Sequence, residues 1–115
     1  MGADAVIAGA AMLFVVHALD RRDGLPTRVK HYRDHRAHLD RAPAEGVQIV
    51  SAGPLVADDG ETPIGSLLVF DAPDRAAVEA FCQVDPYRTG GVWDKIDINA
   101  YVRRRGWAAP ESTGI

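Results

Sequence analysis

The sequence predicts an α+β domain built in the order β-α-β-β-α-β, and three observations carry that expectation. Four apolar stretches, over about 12–18, 47–56, 64–71 and 92–103, have the runs or alternation of strands. Two intervening segments, about 28–44 and 74–84, open and close with helix signals. Between the second and third strands, Asp58-Asp59-Gly60-Glu61-Thr62-Pro63 is the turn chemistry that returns a chain antiparallel.

In order, Leu13-Phe14-Val15-Val16-His17-Ala18 reads as a buried first strand, closed by the charged turn Asp20-Arg21-Arg22-Asp23-Gly24. Thr27 is placed to cap the first helix, and Pro43 stops it by about Ala42, with Glu45-Gly46 as the exit. On that helix Leu39, Tyr32 and Ala42 share one face, with Val29 on its flank: a thin apolar stripe. Val47 to Ala52 forms the second strand, and Gly53-Pro54-Leu55-Val56 continues it with a bend. In the third strand Gly65, Leu67 and Val69 face one way, and Ile64, Ser66, Leu68 and Phe70 the other. Asp74 caps the second helix, whose stripe is Ala77, Ala80, Phe81 and Val84. Asp85-Pro86 starts a short extra turn and Gly90-Gly91 ends it. In the last strand Val92, Ile96, Ile98 and Val102 alternate with Trp93, Lys95, Asp97, Asn99 and Tyr101. This is the ferredoxin-like arrangement, a four-stranded antiparallel sheet with both helices on one face. The other face is left open and partly apolar, so a second copy is expected to cover it, as a homodimer or a higher oligomer. A pocket between the faces is then the natural place for a small-molecule ligand.

At 115 residues the chain can bury one core but not two. Apolar residues at 47% and charged residues at 25% match a globular domain rather than a disordered or fibrous one. Sixteen acids against thirteen bases give a net charge of −3, which argues against nucleic acid as a partner. The single cysteine, Cys82, allows neither an internal disulfide nor a thiolate zinc site and fits a reducing, cytoplasmic compartment. The apolar run over 5–16 is too short to span a bilayer and lacks the basic flank of a signal peptide, so no membrane is expected. Residues 1–11 read as an N-terminal extension, 12–103 as the domain and 104–115 as a loose tail.

The densest chemistry lies in His31-Tyr32-Arg33-Asp34-His35-Arg36-Ala37-His38. On a helix the three histidines fall within about 60° of one another, and His35 sits nearest Leu39, at the edge of the apolar stripe. Histidine is the side chain suited to moving protons near neutral pH; a solvated or partly buried helix position is the plainer role. Three imidazoles spread over nearly two turns converge poorly on one ion, so no metal is expected. Asp85 has an ordinary role as a cap, Gly53-Pro54 as a strand bend and Gly65-Ser66 as a close approach of backbones. Cys82 beside Phe81 reads as packing, and Trp93 and Tyr101 as packing or dimer contacts. No Gly-rich phosphate loop, nucleophile elbow or zinc-finger spacing occurs, and no cofactor is expected.

His35-Arg36-Ala37-His38-Leu39, Glu45-Gly46, Ser51-Ala52-Gly53-Pro54-Leu55, Gly65-Ser66, Asp85-Pro86-Tyr87 and Gly91, in that order and spacing, resemble the YCII-related (YciI-like) family from about Met12 to Tyr101. The resemblance implies a small ferredoxin-like domain that pairs into a dimeric α+β barrel. It implies a site centred on a His and an Asp, which map to His35 and Asp85. The Asp40-Arg41-Ala42-Pro43 segment and the loop length after it depart from the family pattern. They leave His38, which precedes Leu39, as a rival for the motif histidine, although the His-Arg-x-His-Leu order favours His35. In the implied chemistry His35 is a general acid or base, and Asp85 orients its ring and stabilises its protonated form. Gly53 and Pro54 admit substrate near the backbone, and Ser66, Tyr87 and His38 bind it. The implied function is cofactor-independent proton transfer, a lyase or isomerase reaction of dehydrochlorinase-like or muconolactone-isomerase-like type, on a small polar, aromatic-derived metabolite. A non-catalytic dimeric module that binds a small metabolite fits the same residues, and so does a structural dimer with a filled cavity.

Overall fold

The computed structural model describes residues 12–106. Eight elements follow in order: β1 (Met12–Asp20), α1 (Leu25–Asp40), a 3-10 turn (Pro43–Glu45), β2 (Gln48–Val56), β3 (Pro63–Ala72), α2 (Arg75–Gln83), α3 (Pro86–Thr89) and β4 (Trp93–Tyr101). The strands form one antiparallel sheet in the order β2-β3-β1-β4, so the fold is the ferredoxin-like α+β arrangement. The expected N-terminal extension, 1–11, and the tail from 107 onward lie outside the described residues.

Register sorts the strand side chains into two faces. Phe14 stands opposite Phe70 and Ala100, and Val16 opposite Leu68 and Ile98. Of these, Phe14, Val16, Leu68 and Phe70 are buried against the helices with Val78 and Phe81 of α2 and Tyr87 of α3, and Ile98 is partly buried beside them. Phe70 meets Phe81 edge to face, with ring centroids 5.6 Å apart. Val15, His17 and Leu19 face the other way, beside Val69, Leu67 and Gly65. Leu19 and Leu67 on that face are exposed.

Several local details differ from the sequence reading. α1 begins at Leu25, not Arg28, because Pro26 fits the first helical turn, where its missing N–H costs nothing; Gly24, not Thr27, holds the cap position. The thin apolar stripe seats α1 only at its end: Leu39 packs against the core and Ala42, just past the helix, is fully buried. Val29 and Tyr32 are exposed, and the buried residues within the helix are Arg28, His35 and His38. α2 is rotated from the expected stripe. It buries Val78, Phe81 and Cys82, while Val84 lies beyond the helix and is exposed. Along Gly53-Pro54-Leu55-Val56 the pairing is regular through Gly53-Pro54 and slips in register between Leu55 and Val56, and an additional slip lies upstream between Ile49 and Ser51. Between β1 and β4 a third slip sets Trp93 opposite Asp20 and Lys95 opposite Leu19. Trp93 thereby leaves the outward alternation and joins Ile96 on the helix side.

Other expectations match. Asp74 caps α2 by accepting from the Ala77 N–H at 2.9 Å. Asp59 holds the β2–β3 turn by accepting from the N–H groups of Glu61 and Thr62 and from the Thr62 hydroxyl; those bonds bring its carboxyl down to about 2. Gly65 is a true close approach: a Cβ there would collide with the Ala18 carbonyl oxygen. Cys82 is a buried free thiol, pushed up to about 12 by desolvation and secondarily by the charge of Asp85.

Candidate active site

α1 is held to the rest of the molecule by polar side chains, and each reaches a different partner. Near its start, Arg28 Nη1 donates to both oxygens of Asp20 at the end of β1, 2.9 Å each. The same guanidinium donates from Nη2 to Ser66 Oγ at 3.1 Å and packs over the Tyr87 ring, 4.7 Å from its centroid. Two turns on, His35 Nδ1 lies 2.7 Å from Asp85 Oδ1 and 3.0 Å from Oδ2. One residue short of another turn, His38 Nε2 donates to the Phe81 carbonyl at 2.8 Å, with its ring stacked on that of Phe81.

Asp85 is placed by its own backbone role. It caps α3, with Pro86 in the first turn, and Oδ1 accepts from the Tyr87 N–H at 2.8 Å. The cap and the contact with His35 therefore share one carboxylate, which is almost wholly buried. Because a carboxylate only accepts, Nδ1 carries the proton and Nε2 of the neutral ring keeps its lone pair. Nε2 has no hydrogen-bond partner among the described residues. The imidazole lies flat on the Tyr87 ring and meets Trp93 edge-on. Tyr87 is itself buried, which raises the pKa of its phenol; the Arg28 charge opposes that shift.

A cavity of about 360 Å³ opens in front of this cluster. Its floor is Arg28, His35, Ser66, Leu68 and Tyr87, and one wall is the exposed side of α1 from Leu25 through Tyr32 and Arg36 to Leu39. The other wall is the edge strand at Ala52, Gly53 and Pro54. The cavity thus joins six of the residues singled out from the sequence: His35, Gly53, Pro54, Ser66 and Tyr87 line it, and Asp85 stands behind His35.

Two of those expectations change in detail. His38 does not reach this cavity; it lines a separate small cleft between α1 and α2. The rival motif histidine therefore has a different partner, a backbone carbonyl rather than Asp85. Gly53 pairs with Leu67, so a side chain there would point to the face away from the helices, and a Cβ would meet nothing within 4 Å. Only its backbone borders the cavity, and the expected need for a glycine is not steric within the chain. The three-imidazole metal arrangement does not form either: His31 packs against Gly90, His35 against Asp85 and His38 against Phe81. Among the described residues no group of three or more His, Cys, Asp or Glu is placed to hold a metal ion.

Arg28, Asp20 and Trp93 were not singled out as site residues from the sequence. Arg28 sits at i−7 from His35, on the same helical face, a spacing that could have pointed to it. The position of Trp93 depends on the β4 register slip, which no pattern in the residues announces.

The model of the YCII-related domain family matches residues 12–101. Protein YciI of Escherichia coli O6:H1 and that of Shigella flexneri are each 30% identical over 95 residues, covering 78% of this chain and 96% of their own. Among solved structures, the 5-chloro-2-hydroxyhydroquinone dehydrochlorinase TftG from Burkholderia phenoliruptrix AC1100, in complex with 2,5-dihydroxybenzoquinone, superimposes with a TM-score of 0.71. It is 26% identical, and the match covers 81% of this chain and 96% of that one.

Proposed function

This chain belongs to the YCII-related domain family, and from that premise we propose that it is an enzyme moving a proton on a small oxygenated ring compound. In this reading it carries out an elimination or an isomerisation with its own residues and needs no cofactor. The single observation that carries the reading is the buried His35–Asp85 contact, which leaves Nε2 free at the edge of a cavity of ring-compound size. The relative TftG, whose name is that of a dehydrochlorinase and which binds 2,5-dihydroxybenzoquinone, supports the substrate class.

Nε2 of His35 accepts a proton from a hydroxyl or acidic C–H of the substrate. In an elimination from a hydroxylated aromatic ring, the imidazolium first returns the proton to the ring carbon that bears the leaving group, which saturates that carbon. Nε2 then takes the proton of a second hydroxyl, whose electron pair forms a carbonyl as the ring pair shifts and the leaving group departs with its bonding pair. In an isomerisation, the imidazolium returns the proton to another ring atom. Either way Asp85 stabilises the imidazolium and fixes the tautomer, as a carboxylate does in other acid–base pairs. Tyr87, stacked under the imidazole, holds the ring plane, and Ser66 offers a hydroxyl to the substrate. Gly53 and Pro54 form the rim.

The functional unit in this proposal is residues 12–103, working as a cytoplasmic homodimer. Support for the dimer is the apolar outer face of the central strands, Val15, Leu19, Leu67 and Val69. Among the described residues no helix is long and apolar enough to cross a membrane.

The test is direct. Turnover of 5-chloro-2-hydroxyhydroquinone is followed by chloride release in the wild type and in His35→Ala, alongside calorimetric binding of 2,5-dihydroxybenzoquinone. Chloride release that His35→Ala abolishes supports the enzyme. Tight binding with no turnover in the wild type favours the non-catalytic binding module instead.

A further inference from the structure

We infer that Ser66 is a one-way hydrogen-bond donor, and that with the lone pair on His35 it makes the cavity selective for ligands pairing an acidic O–H with a carbonyl or deprotonated oxygen, the pattern of a hydroxyquinone or enolised dicarbonyl. The inference deepens the proton-transfer reading and rests on it only for the reaction, not for the binding preference.

A serine hydroxyl has one hydrogen to give and two lone pairs to accept with. At Ser66 both lone pairs are engaged. Arg28 Nη2 and Trp93 Nε1 each point at Oγ from 3.1 Å, and neither guanidinium nor indole N–H can do anything but donate. The hydroxyl hydrogen must therefore turn elsewhere, and no described residue accepts it. Ser66 is almost fully buried yet lines the cavity, so that hydrogen is left for what enters it.

The donor is also held still. Arg28 is locked by its two contacts with Asp20, and the β3 backbone at Gly65 lies too close to the Ala18 carbonyl to admit a side chain. A cationic donor behind the hydroxyl polarises it further. His35 has the opposite polarity, since Nδ1–H is given to Asp85 and Nε2 accepts. One cavity floor thus presents a fixed donor and a fixed acceptor. A ring bearing only hydroxyls satisfies Ser66 through a weakly accepting oxygen; a quinone carbonyl or an enolate oxygen satisfies it well. Arg28 and Trp93 act through Ser66 and are positioning residues.

The experiment compares two ligands of one ring size, 2,5-dihydroxybenzoquinone and hydroquinone, by calorimetry. The wild type is expected to prefer the quinone by about tenfold or more. Ser66→Ala should weaken the quinone about 10- to 100-fold and leave hydroquinone nearly unchanged. The visible spectrum of the bound quinone gives a second readout: the wild type should lower the pH at which it ionises, and Ser66→Ala should abolish that shift. Should Ser66→Ala fail to fold, Trp93→Phe, which returns one lone pair to Oγ, should narrow the preference several-fold. Equal affinity of the wild type for both ligands, no quinone binding at millimolar concentration, or an unchanged preference in a folded variant overturns the inference. Failure of the proton-transfer reading would look different: no turnover, with these affinity differences intact.

Discussion

The imidazole of His35 and the phenol ring of Tyr87 lie face to face, with centroids 3.8 Å apart and planes within 7° of parallel. The Tyr87 N–H also donates to the carboxylate that contacts His35. One residue therefore fixes the ring from below and the acid from the side, so neither can turn without disturbing the other. Geometry of this kind is a requirement for acid–base work, since a misplaced ring loses its reach to the proton.

Asp85→Asn should separate the two duties of that carboxylate. Asparagine caps a helix about as well as aspartate, so the melting temperature should change little. It cannot stabilise an imidazolium as a carboxylate does, so turnover should fall by about 100-fold or more. A loss of fold together with activity, seen by circular dichroism, would show that the charge is needed for folding.

His38→Ala should destabilise the protein by about 1–3 kcal/mol and leave affinity for 2,5-dihydroxybenzoquinone unchanged. Its Nε2–H satisfies a buried carbonyl, and its ring stacks on Phe81, well away from the cavity. Urea unfolding and calorimetry on the same sample check both halves.

The two glycines on neighbouring strands should respond in opposite ways to alanine. Gly65→Ala forces the β3 backbone against the Ala18 carbonyl and should cost about 1–3 kcal/mol. Gly53→Ala adds a methyl to open space on an edge strand and should stay within about 0.5 kcal/mol. Paired thermal melts decide this.

Cys82 should resist an aromatic disulfide reagent at pH 8 until the chain is unfolded, because burial holds it as the thiol. The sign of the linkage follows. Above about 9 the unfolded thiol ionises while the folded one does not until about 12. Over that window the unfolded state releases a proton that the folded state keeps, so stability falls as pH rises. Cys82→Ala should remove that component of the alkaline slope.

In solution, light scattering at micromolar concentration should return twice the 12.4 kDa chain mass. Replacing the outward Leu67 with lysine should shift that mass toward the single chain without altering the helix-side core. A single-chain mass for the wild type would sink the dimer.

The order of the elements was legible because strands leave a local mark, their alternation. The residues alone offered Asp85 as a cap and His35 as a helix position, and only the family resemblance put the two together. The seat of α1 was legible only at its end. An apolar-stripe argument selects Leu39, Tyr32 and Ala42, with Val29 on the flank. Leu39 and Ala42 do meet the core, but the rest of the helix is seated by Arg28, His35 and His38, whose partners come from β1, β3, α2 and the cap of α3. Hydropathy says nothing about a polar side chain whose acceptor lies 38 or 50 residues away. Trp93 was misplaced for a related reason, since a one-residue slip in a ladder reverses every later face.

That polar seating has a consequence for how the protein can change. Arg28 and His35 both anchor α1 and line the cavity, His38 anchors it from outside the cavity, and Leu39 lines the cavity while packing against the core. Leu25, Val29, Tyr32 and Arg36 line the cavity with no buried role. Val29 and Tyr32 carry little of the fold, being largely in contact with solvent. Substitutions along the wall can therefore reshape the entrance for a new molecule at almost no penalty to folding, while the chemical group behind it stays fixed. A scaffold divided in this way is suited to diversification: a single proton-moving centre can serve many differently shaped compounds through exchange of a few exposed positions.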